Sequence, residues 1–396
     1  MENTNKRSRI LFLTDIHYHV HQADNDEASV NQYGYTGNER MQIMVDAVLA
    51  EHRKKPLDMV LILGDLGGNN YTIRPYMENG VMSDAAADAY FGSDGDAIYA
   101  VRHRYLASIE AAGIPVYCLP GNHDAYSNAL WERLFGYARD SVIELPDVDT
   151  AILMLDLYGL EPTNAYFTAN RETLSVRSAR TEEEKARLSA IMEKAKNYSR
   201  VIACAHYANF DPDTREALAS CENLAYCFVG DGHDITKVES KDFPLLPIYM
   251  LGKFGYSIRE DMKVHNGKGT KYVYVNESGD TPVYLKALAV DTRSHDCRDY
   301  RFRPATEAEL AAIDIPKVAV IDKDEALSHF VWNYAIMELG KEKDEARMDI
   351  VFPEVTYHGI SKRTGHLLTP HRGMFPSVLG DWHKPYTVEC LFDEKK

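Results

Sequence analysis

The chain has 396 residues, of which 45% are hydrophobic, and its 60 acidic and 44 basic side chains give a formal charge of −16. Such an acidic chain disfavours non-specific binding to nucleic acids, which requires many Lys and Arg side chains, and it disfavours binding to anionic membranes. No stretch approaches the roughly 20 apolar residues that a membrane-spanning helix requires.

Short apolar runs alternate with amphipathic stretches over the first 230 residues. This alternation predicts an α/β protein in which helices separate the strands. The predicted elements are, in chain order, strand Ile10–Thr14, helix Glu39–Arg53, strand Met59–Leu63, helix Ala97–Ala112, strand Val116–Leu119, helix Asn128–Phe135, strand Ala151–Leu155, helix Thr181–Lys196, strand Val201–Ala205 and strand Ala225–Val229. Two long polar segments, Tyr18–Asn38 and Gly67–Gly95, interrupt this pattern and are expected to form functional rims or mobile loops.

The C-terminal part has a different texture. Three β-rich runs predict a second sheet that packs against the first: Leu246–Leu251, Lys271–Val275 and Val283–Val290. A helix is predicted at Glu325–Leu339, and a stretch rich in Pro, Gly and His follows it. We therefore predict a main domain over residues 1–314 and a small C-terminal appendage over residues 315–396.

The cysteines and the N-terminus indicate where the protein resides. Six cysteines lie mostly in apolar runs without the CxxC spacing of metal sites, and we interpret them as buried thiols in a reducing compartment. Residues Met1 to Arg9 are polar and basic, without the apolar segment of a secretory signal. We therefore expect a cytoplasmic protein.

Five of the predicted strands end in side chains that can bind metal ions. These ends read Asp15-Ile16-His17, Gly64-Asp65, Gly121-Asn122-His123-Asp124, Ala205-His206 and Gly230-Asp231-Gly232-His233. The carboxyl ends of strands in an open α/β sheet are where ligands bind. Asp15 and His17 are two positions apart, so an extended backbone would direct both side chains the same way. Each motif alone is weak, but five in this order predict one joint site.

The residue types at these strand ends indicate two metal ions. Imidazole, carboxylate and amide oxygen without thiolate suit Mn, Fe or Zn. Two such ions about 3.5–4 Å apart can hold a nucleophile and an ester oxygen together. One carboxylate must bridge the ions, and Asp65 is our candidate for that bridge.

In this order the five motifs resemble the calcineurin-like metallophosphoesterase family. The pattern of that family is Asp-x-His, then Gly-Asp, then Gly-Asn-His-Asp or Glu, then a lone His, then Gly-His-x-His. The resemblance covers roughly residues 8–235. It implies a four-layer αββα sandwich of two mixed β-sheets flanked by helices, and a dinuclear metal-dependent phosphohydrolase.

The resemblance also implies a role for each site residue. The implied ligands are Asp15, His17 and His233 for the first metal, Asn122, His206 and Asp231 for the second, and Asp65 as the bridge. His123 would contact the phosphate and help the leaving group to depart. Asp124 would orient His123 through a hydrogen bond, as carboxylates behind a catalytic imidazole do.

One position departs from the family pattern, because Asp231 stands where the first His of the last motif is expected. Taking Gly232-His233 as the Gly-His pair instead would place Ile235 at the second ligand position, and Ile235 cannot bind a metal. We therefore prefer Asp231 as a ligand. Three carboxylates then face the two ions, and the added anion favours Mn or Fe, with Zn as the alternative.

These observations predict an enzyme that hydrolyses a small phosphate mono- or diester by attack of a metal-bridging hydroxide. Two alternatives stay open: a nucleotidase-type phosphohydrolase, which residues Leu251–Glu260 and Leu367–Gly380 faintly resemble, and a scaffold that keeps the fold without catalysis. His17-Tyr18-His19 also fits the opening of an amidohydrolase barrel, but that interpretation leaves Asp65 and Asn122 without a role. The sequence does not indicate an oligomeric state.

Overall fold

Two six-stranded β-sheets form the centre of the computed structural model. Their strands are, in chain order, β1 (Ser8–Leu13), β2 (Met59–Leu63), β3 (Val116–Leu119), β4 (Ser141–Leu145), β5 (Thr150–Leu155), β6 (Arg200–Ala205), β7 (Leu224–Val229), β8 (Ile235–Val238), β9 (Ile248–Leu251), β10 (Tyr334–Leu339), β11 (Ala346–Val351) and β12 (Met374–Phe375). The structure describes residues 7–18, 37–67, 77–78, 81–82, 101–124, 128–158, 175–232, 235–238, 240–241, 243–254, 274–276, 283–284, 302–304, 318–322, 332–342, 344–351, 353, 367–370, 374–375 and 387–393.

The first sheet has the strand order β12-β11-β10-β1-β2-β3. Strands β1, β2 and β3 run parallel, whereas β10 and β11 pair in antiparallel fashion beside β1. Every residue of β1 and β2 is buried. Strands that are covered on both faces read as continuous apolar runs, which is why both were recognisable in the sequence.

The second sheet has the order β8-β9-β7-β6-β5-β4 and is also mixed. Strands β5, β6, β7 and β9 run parallel, and the outer strands β4 and β8 are antiparallel to their neighbours. The two sheets pack against each other through their inner faces. The ring of Phe12 on β1, for example, lies 5.2 Å from the ring of Phe228 on β7, measured between centroids.

Helices flank the two sheets and complete the predicted four layers. They are α1 (Gly37–Lys54), α2 (Ala107–Glu110), which a π-helical turn (Val101–Leu106) precedes, α3 (Asn128–Phe135), α4 (Glu182–Ala195) and α5 (Pro212–Ala219). Helix α5 was not predicted, although Asp211 caps it by accepting a hydrogen bond from the Thr214 amide and Pro212 stands at its first turn. That pair is a recognised sequence signal for a helix start. The layered fold differs from the barrel of an amidohydrolase.

The C-terminal part corrects one prediction. The predicted helix Glu325–Leu339 is wrong over Tyr334–Leu339, which forms β10 and pairs with β1 from Ser8↔Leu339 to Phe12↔Ala335. Residues 325–331 lie outside the described residues. Strand pairing overrides the helical propensity of this run, because it lies between β1 and β11 in the sheet and five of its six residues are buried there. The division between residues 314 and 315 stays a prediction, but β10 and β11 are integral to the first sheet.

Smaller sheets account for the other strands. Of the three β-rich runs predicted for the second sheet, the first contains β9 and belongs to it, whereas the described residues of the other two do not. The other two contribute short strands to a separate three-stranded sheet. The strands outside the two main sheets are Met77–Glu78, Val81–Met82, Tyr274–Asn276, Val283–Tyr284, Phe302–Pro304, Val318–Asp322, Leu367–Pro370 and Thr387–Asp393. None of the helices in the described part of the chain is long and apolar enough to cross a membrane.

Asn333, which directly precedes β10, fastens the C-terminal part to the end of β1. Its side chain donates to Leu251 O at 2.6 Å and accepts from the Lys253 amide at 3.1 Å, and its own amide donates to Lys253 O at 2.9 Å. Phe254, next along that segment, donates from its amide to Thr14 O at 2.9 Å. A chain of hydrogen bonds thus links the start of β10 to the residue before Asp15.

Candidate metal centre

The carboxyl ends of strands β1, β2, β3, β6 and β7 meet at one edge of the two sheets. Backbone hydrogen bonds hold neighbouring ends together: the His17 amide donates to Asp65 O at 2.9 Å, and the Gly230 amide donates to His206 O at 2.9 Å. The two sheets are joined at this edge by the Asp231 amide, which donates to Asp15 Oδ2 at 3.2 Å. His233 lies outside the described residues.

Four of the predicted ligands have left-handed backbone conformations. Their φ angles are 51° for Asp15, 40° for His17, 53° for Asp65 and 63° for Asp231. Such values are uncommon outside glycine, and Asp and His are among the residues that adopt them most readily. The extended backbone that we expected for Asp15 and His17 is therefore wrong. Their side chains still converge, because the chain turns sharply after β1.

Asp65 lies at the middle of the converging side chains. Its Oδ2 is 3.3 Å from His17 Nε2 and also 3.3 Å from His206 Nε2. Asp15 Oδ1 lies 3.7 Å from His17 Nε2 and 3.9 Å from His206 Nε2. Asp231 approaches from the rim, with Oδ1 3.8 Å from His206 Nε2.

These atoms form two groups that share Asp65. One group is His17, Asp65 and His123, and the other is Asp15, Asp65 and His206, each with its ligand atoms within 4.8 Å of one another. A carboxylate common to both groups is what a bridge between two ions requires. The predicted division placed Asp15 with His17 and assigned His123 to the substrate. The distribution of ligands between two ions therefore stays a prediction.

The orientation of His206 is fixed by the backbone. Its Nδ1 lies 2.6 Å from Leu63 O, and because a carbonyl can only accept, Nδ1 is the donor. The lone pair of the neutral ring is then on Nε2, which lies 3.0 Å from Asn122 Oδ1 and faces Asp65. Rotating the Asn122 amide would place its nitrogen 3.2 Å from Asp65 Oδ2. A cation would select the orientation with the oxygen inward.

Charges within the centre shift two pKa values in opposite directions. Burial would raise the pKa of Asp65, but His206, His123 and His17 hold it well below its usual value. Burial would lower the pKa of His206, but the negative charges of Asp65 and Asp15 raise it well above its usual value. A cation that binds at Nε2 of His206 must therefore displace a proton.

The donor set fits metal ions. Oxygen and imidazole donors converge from several strands, and Asp15, His17, Asp65 and His206 are at most 2% exposed. Acidic groups at this depth require compensating positive charge, which metal ions would supply. Imidazole and carboxylate together suit Mn, Fe and Zn, and the identity of the ions stays a prediction.

Asp124 has a different partner from the one we predicted. Its carboxylate accepts hydrogen bonds from the backbone amides of Leu66 and Gly67 at 3.1 Å and of Gly121 at 2.8 Å. The predicted hydrogen bond to the His123 ring is absent among the described contacts of Asp124, so that expectation is wrong. The carboxylate instead clamps the turns after β2 and β3 together. Burial and the nearby Asp65 charge raise the pKa of Asp124 to about 6.

His123 lies at the open side of the centre. Its ring packs edge-on against the His17 ring, with 5.0 Å between the centroids, and its amide donates to Asp65 Oδ1 at 2.9 Å. Its Nδ1 has no hydrogen-bond partner among the described residues. Contact with the phosphate is the role that we predicted for this ring. That role stays a prediction.

Glycines permit the close packing of the strand ends. A Cβ atom on Gly121 would collide with the side chain and amide of Asp65, and one on Gly230 would collide with Thr14 Oγ1 and Asp15 Oδ2. Larger residues at either position would displace a ligand.

Sequence reasoning missed two kinds of supporting residue. Arg40 is 1% exposed and donates from Nη2 to His17 O at 2.5 Å, so it stabilises the turn that carries His17. We predicted no site residue at the end of β5. The polar residue Asp156 directly follows this apolar strand, however, just as the predicted ligands directly follow their strands. Tyr158, two residues later, packs against His206 with 6.0 Å between the ring centroids.

Comparison with known proteins adds a family match and several solved structures. A sequence profile described as calcineurin-like phosphoesterase matches residues 8–234. A dimetal phosphatase from Danio rerio is 15% identical, with a TM-score of 0.41 over 62% of this chain and 88% of its own. The putative 5'-nucleotidase of Staphylococcus aureus is 14% identical, with a TM-score of 0.31 over 63% of this chain and 49% of its own. The NAD nucleotidase of Haemophilus influenzae is 14% identical, with a TM-score of 0.32 over 64% of this chain and 51% of its own.

The chain spans about half the length of each of these two nucleotidases. No curated protein matches it.

Proposed function

The chain belongs to the calcineurin-like phosphoesterase family, and from this premise we propose that it hydrolyses a small phosphate mono- or diester with the help of two metal ions. The observation that carries this proposal is the position of Asp65, whose Oδ2 lies 3.3 Å from both His17 and His206. One buried carboxylate between two imidazoles is the arrangement that a dinuclear centre needs.

Seven residues would hold the two ions: Asp15, His17, Asp65, Asn122, His206, Asp231 and His233. When bound, the ions would supply Lewis acidity for the phosphoryl oxygens and a water of lowered pKa. The left-handed turns after β1 and β2 and the hydrogen bond from His206 to Leu63 O fix the ligand atoms before an ion arrives. This preorganisation is the contribution of the chain itself.

The remaining residues act on the substrate and on the shape of the site. His123, at the open side, would contact the phosphate and give a proton to the leaving oxygen as the ester bond breaks. Asp124 would act on His123 through the backbone, because it fixes the turn that carries the imidazole rather than the ring itself.

We propose Mn or Fe as the native metals because Asp231 adds a third carboxylate to the centre. Asp231→His should raise the ratio of Zn to Mn affinity by about tenfold, which corresponds to roughly 1.4 kcal/mol. The left-handed backbone at residue 231 tolerates His, so the turn should survive. Competition titrations of the two metals measure the ratio, and Asp231→Asn, which removes the charge but keeps the oxygen, is the control. An unchanged ratio in Asp231→His would show that residue 231 is not a ligand.

The function is tested by hydrolysis of p-nitrophenyl phosphate and of bis-p-nitrophenyl phosphate after reconstitution with Mn²⁺. We expect metal-dependent turnover of at least one of the two esters, and the preferred ester identifies the class of substrate. Failure to hydrolyse either ester with two metals bound would favour the silent scaffold over the enzyme. A screen of nucleotides would then test the nucleotidase alternative.

The cytoplasm is the location that we propose. Cys118, Cys204, Cys221 and Cys227 are free thiols buried in the structure, which supports a reducing compartment.

A further inference from the structure

The end of β5 adds another side chain to the metal centre. Strands β5 and β6 are parallel neighbours in register, with Leu155 opposite Ala205, so the residues that follow them lie side by side. His206 follows β6, and Tyr158 lies beside it, 2% exposed, with its ring centroid 6.0 Å from that of His206. Tyr158 therefore occupies the same edge of the sheet as the predicted ligands.

A buried ion cluster fixes the backbone of Tyr158. Asp156 Oδ1 accepts a hydrogen bond from the Tyr158 amide at 2.9 Å. The same carboxylate pairs with Arg139 Nε at 3.0 Å and with Arg177 Nη2 at 2.5 Å, while Arg180 Nη2 donates to Asp156 O at 2.7 Å. These charged groups are almost fully buried, so their geometry is well determined by one another. The backbone of Tyr158 is thus fixed by this ion cluster.

The Tyr158 hydroxyl lies near the carboxylates of Asp231, Asp65 and Asp15. Among the described residues it makes no hydrogen bond, although the side chain is almost completely buried. Burial, together with the negative charges of Asp231, Asp65 and Asp15, raises the pKa of Tyr158 well above its usual value. A phenol has an ordinary pKa of about 10, so the hydroxyl is a hydrogen-bond donor at neutral pH.

We propose that the Tyr158 hydroxyl donates a hydrogen bond to a non-bridging oxygen of the phosphate bound at the metal centre. This inference rests on the proposed function. When the carboxylates of the centre are engaged by cations, the acceptor that enters beside His206 is the phosphate. A neutral donor that is held by a rigid cluster stabilises the charge that accumulates on such an oxygen in the transition state.

Tyr158→Phe isolates the hydroxyl, because the ring that packs on His206 is retained. We expect kcat/KM for the preferred aryl phosphate to fall by about 10- to 100-fold. We expect the affinity for inorganic phosphate to fall by at least about fivefold. Metal stoichiometry and Tm should stay those of the wild type. Tyr198→Phe is the matched control, because the Tyr198 hydroxyl bonds to Glu144 on the surface at 2.8 Å.

Three results would overturn the proposal. Wild-type kcat/KM and phosphate affinity in Tyr158→Phe would show that the hydroxyl does not meet the phosphate. Loss of metal together with activity would show that it acts on the ligands instead. An equal effect in Tyr198→Phe would show that the losses are not specific to the site.

Failure of the proposed function is recognised separately, because the wild type would then hydrolyse no ester. Calorimetric titration of the metal-loaded wild type and the metal-loaded Tyr158→Phe variant with inorganic phosphate would still decide the role of Tyr158. Weaker binding by Tyr158→Phe would support the hydrogen bond, and equal binding would overturn it.

Discussion

Asp65→Asn is expected to reduce the metal-dependent turnover of phosphate esters by at least about 10³-fold, since metal ions contribute several kcal/mol to the stabilisation of the transition state. Asparagine has the same shape as aspartate but lacks the charge that lies between His17 and His206. It can still accept the hydrogen bond from the His123 amide, so the turn after β3 should persist. The variant should also bind fewer than two metal ions, as measured by elemental analysis after dialysis.

Asp149→Asn is the control for this variant. Asp149 also has a left-handed backbone, with φ 46°, but it lies between β4 and β5 at the edge opposite the metal centre. The two substitutions therefore impose the same change of charge on the same backbone conformation. Full activity in Asp65→Asn, or an equal loss in Asp149→Asn, would contradict the bridging role of Asp65.

His123→Ala is expected to reduce kcat by about 10²–10⁴-fold, the usual scale of general acid–base catalysis. The metal content should stay that of the wild type if the ring acts on the substrate. The structure makes this a sharp test, because His123 also lies in one of the two groups around Asp65. Turnover and metal content are therefore measured on the same samples.

The outcome separates two roles for His123. Loss of turnover with metals retained would support the contact with the leaving group, whereas loss of a metal would make His123 a ligand and contradict our assignment. His52→Ala is the control, since His52 accepts a hydrogen bond from the Leu57 amide at the far end of α1. That variant should keep both its metals and its turnover.

The fold class was accessible from the sequence because its signals are local. Buried parallel strands appear as continuous apolar runs, and β1 and β2 were placed within two residues of their observed ends. Polar residues directly after these runs predicted the meeting of Asp15, Asp65 and His206, because parallel strands bring their carboxyl ends to one edge. Thr181, which caps α4 together with Glu184, is a similarly local signal.

The rest depended on contacts that no local pattern records. The run that forms β10 contains good helix formers, and it becomes a strand because β1, more than 300 residues earlier, pairs with it. Tyr158 reads in the sequence as an ordinary core aromatic, and only the register of β5 against β6 places it beside His206. The partners of Asp124 were misjudged for the same reason, since its hydrogen bonds reach back to Leu66 and Gly67.

The hydrogen bonds of Asn333 have a consequence for how the protein matures in the cell. Strand β1 leaves the ribosome well before its partner β10, because the paired residues Ser8 and Leu339 are 331 positions apart. At typical rates of translation this interval lasts roughly 20–70 s. Until Asn333 arrives, the segment that holds Thr14 lacks its anchor, and one edge of β1 lacks its neighbour. If the centre binds metal ions as we propose, we expect metal loading to follow the synthesis of β10.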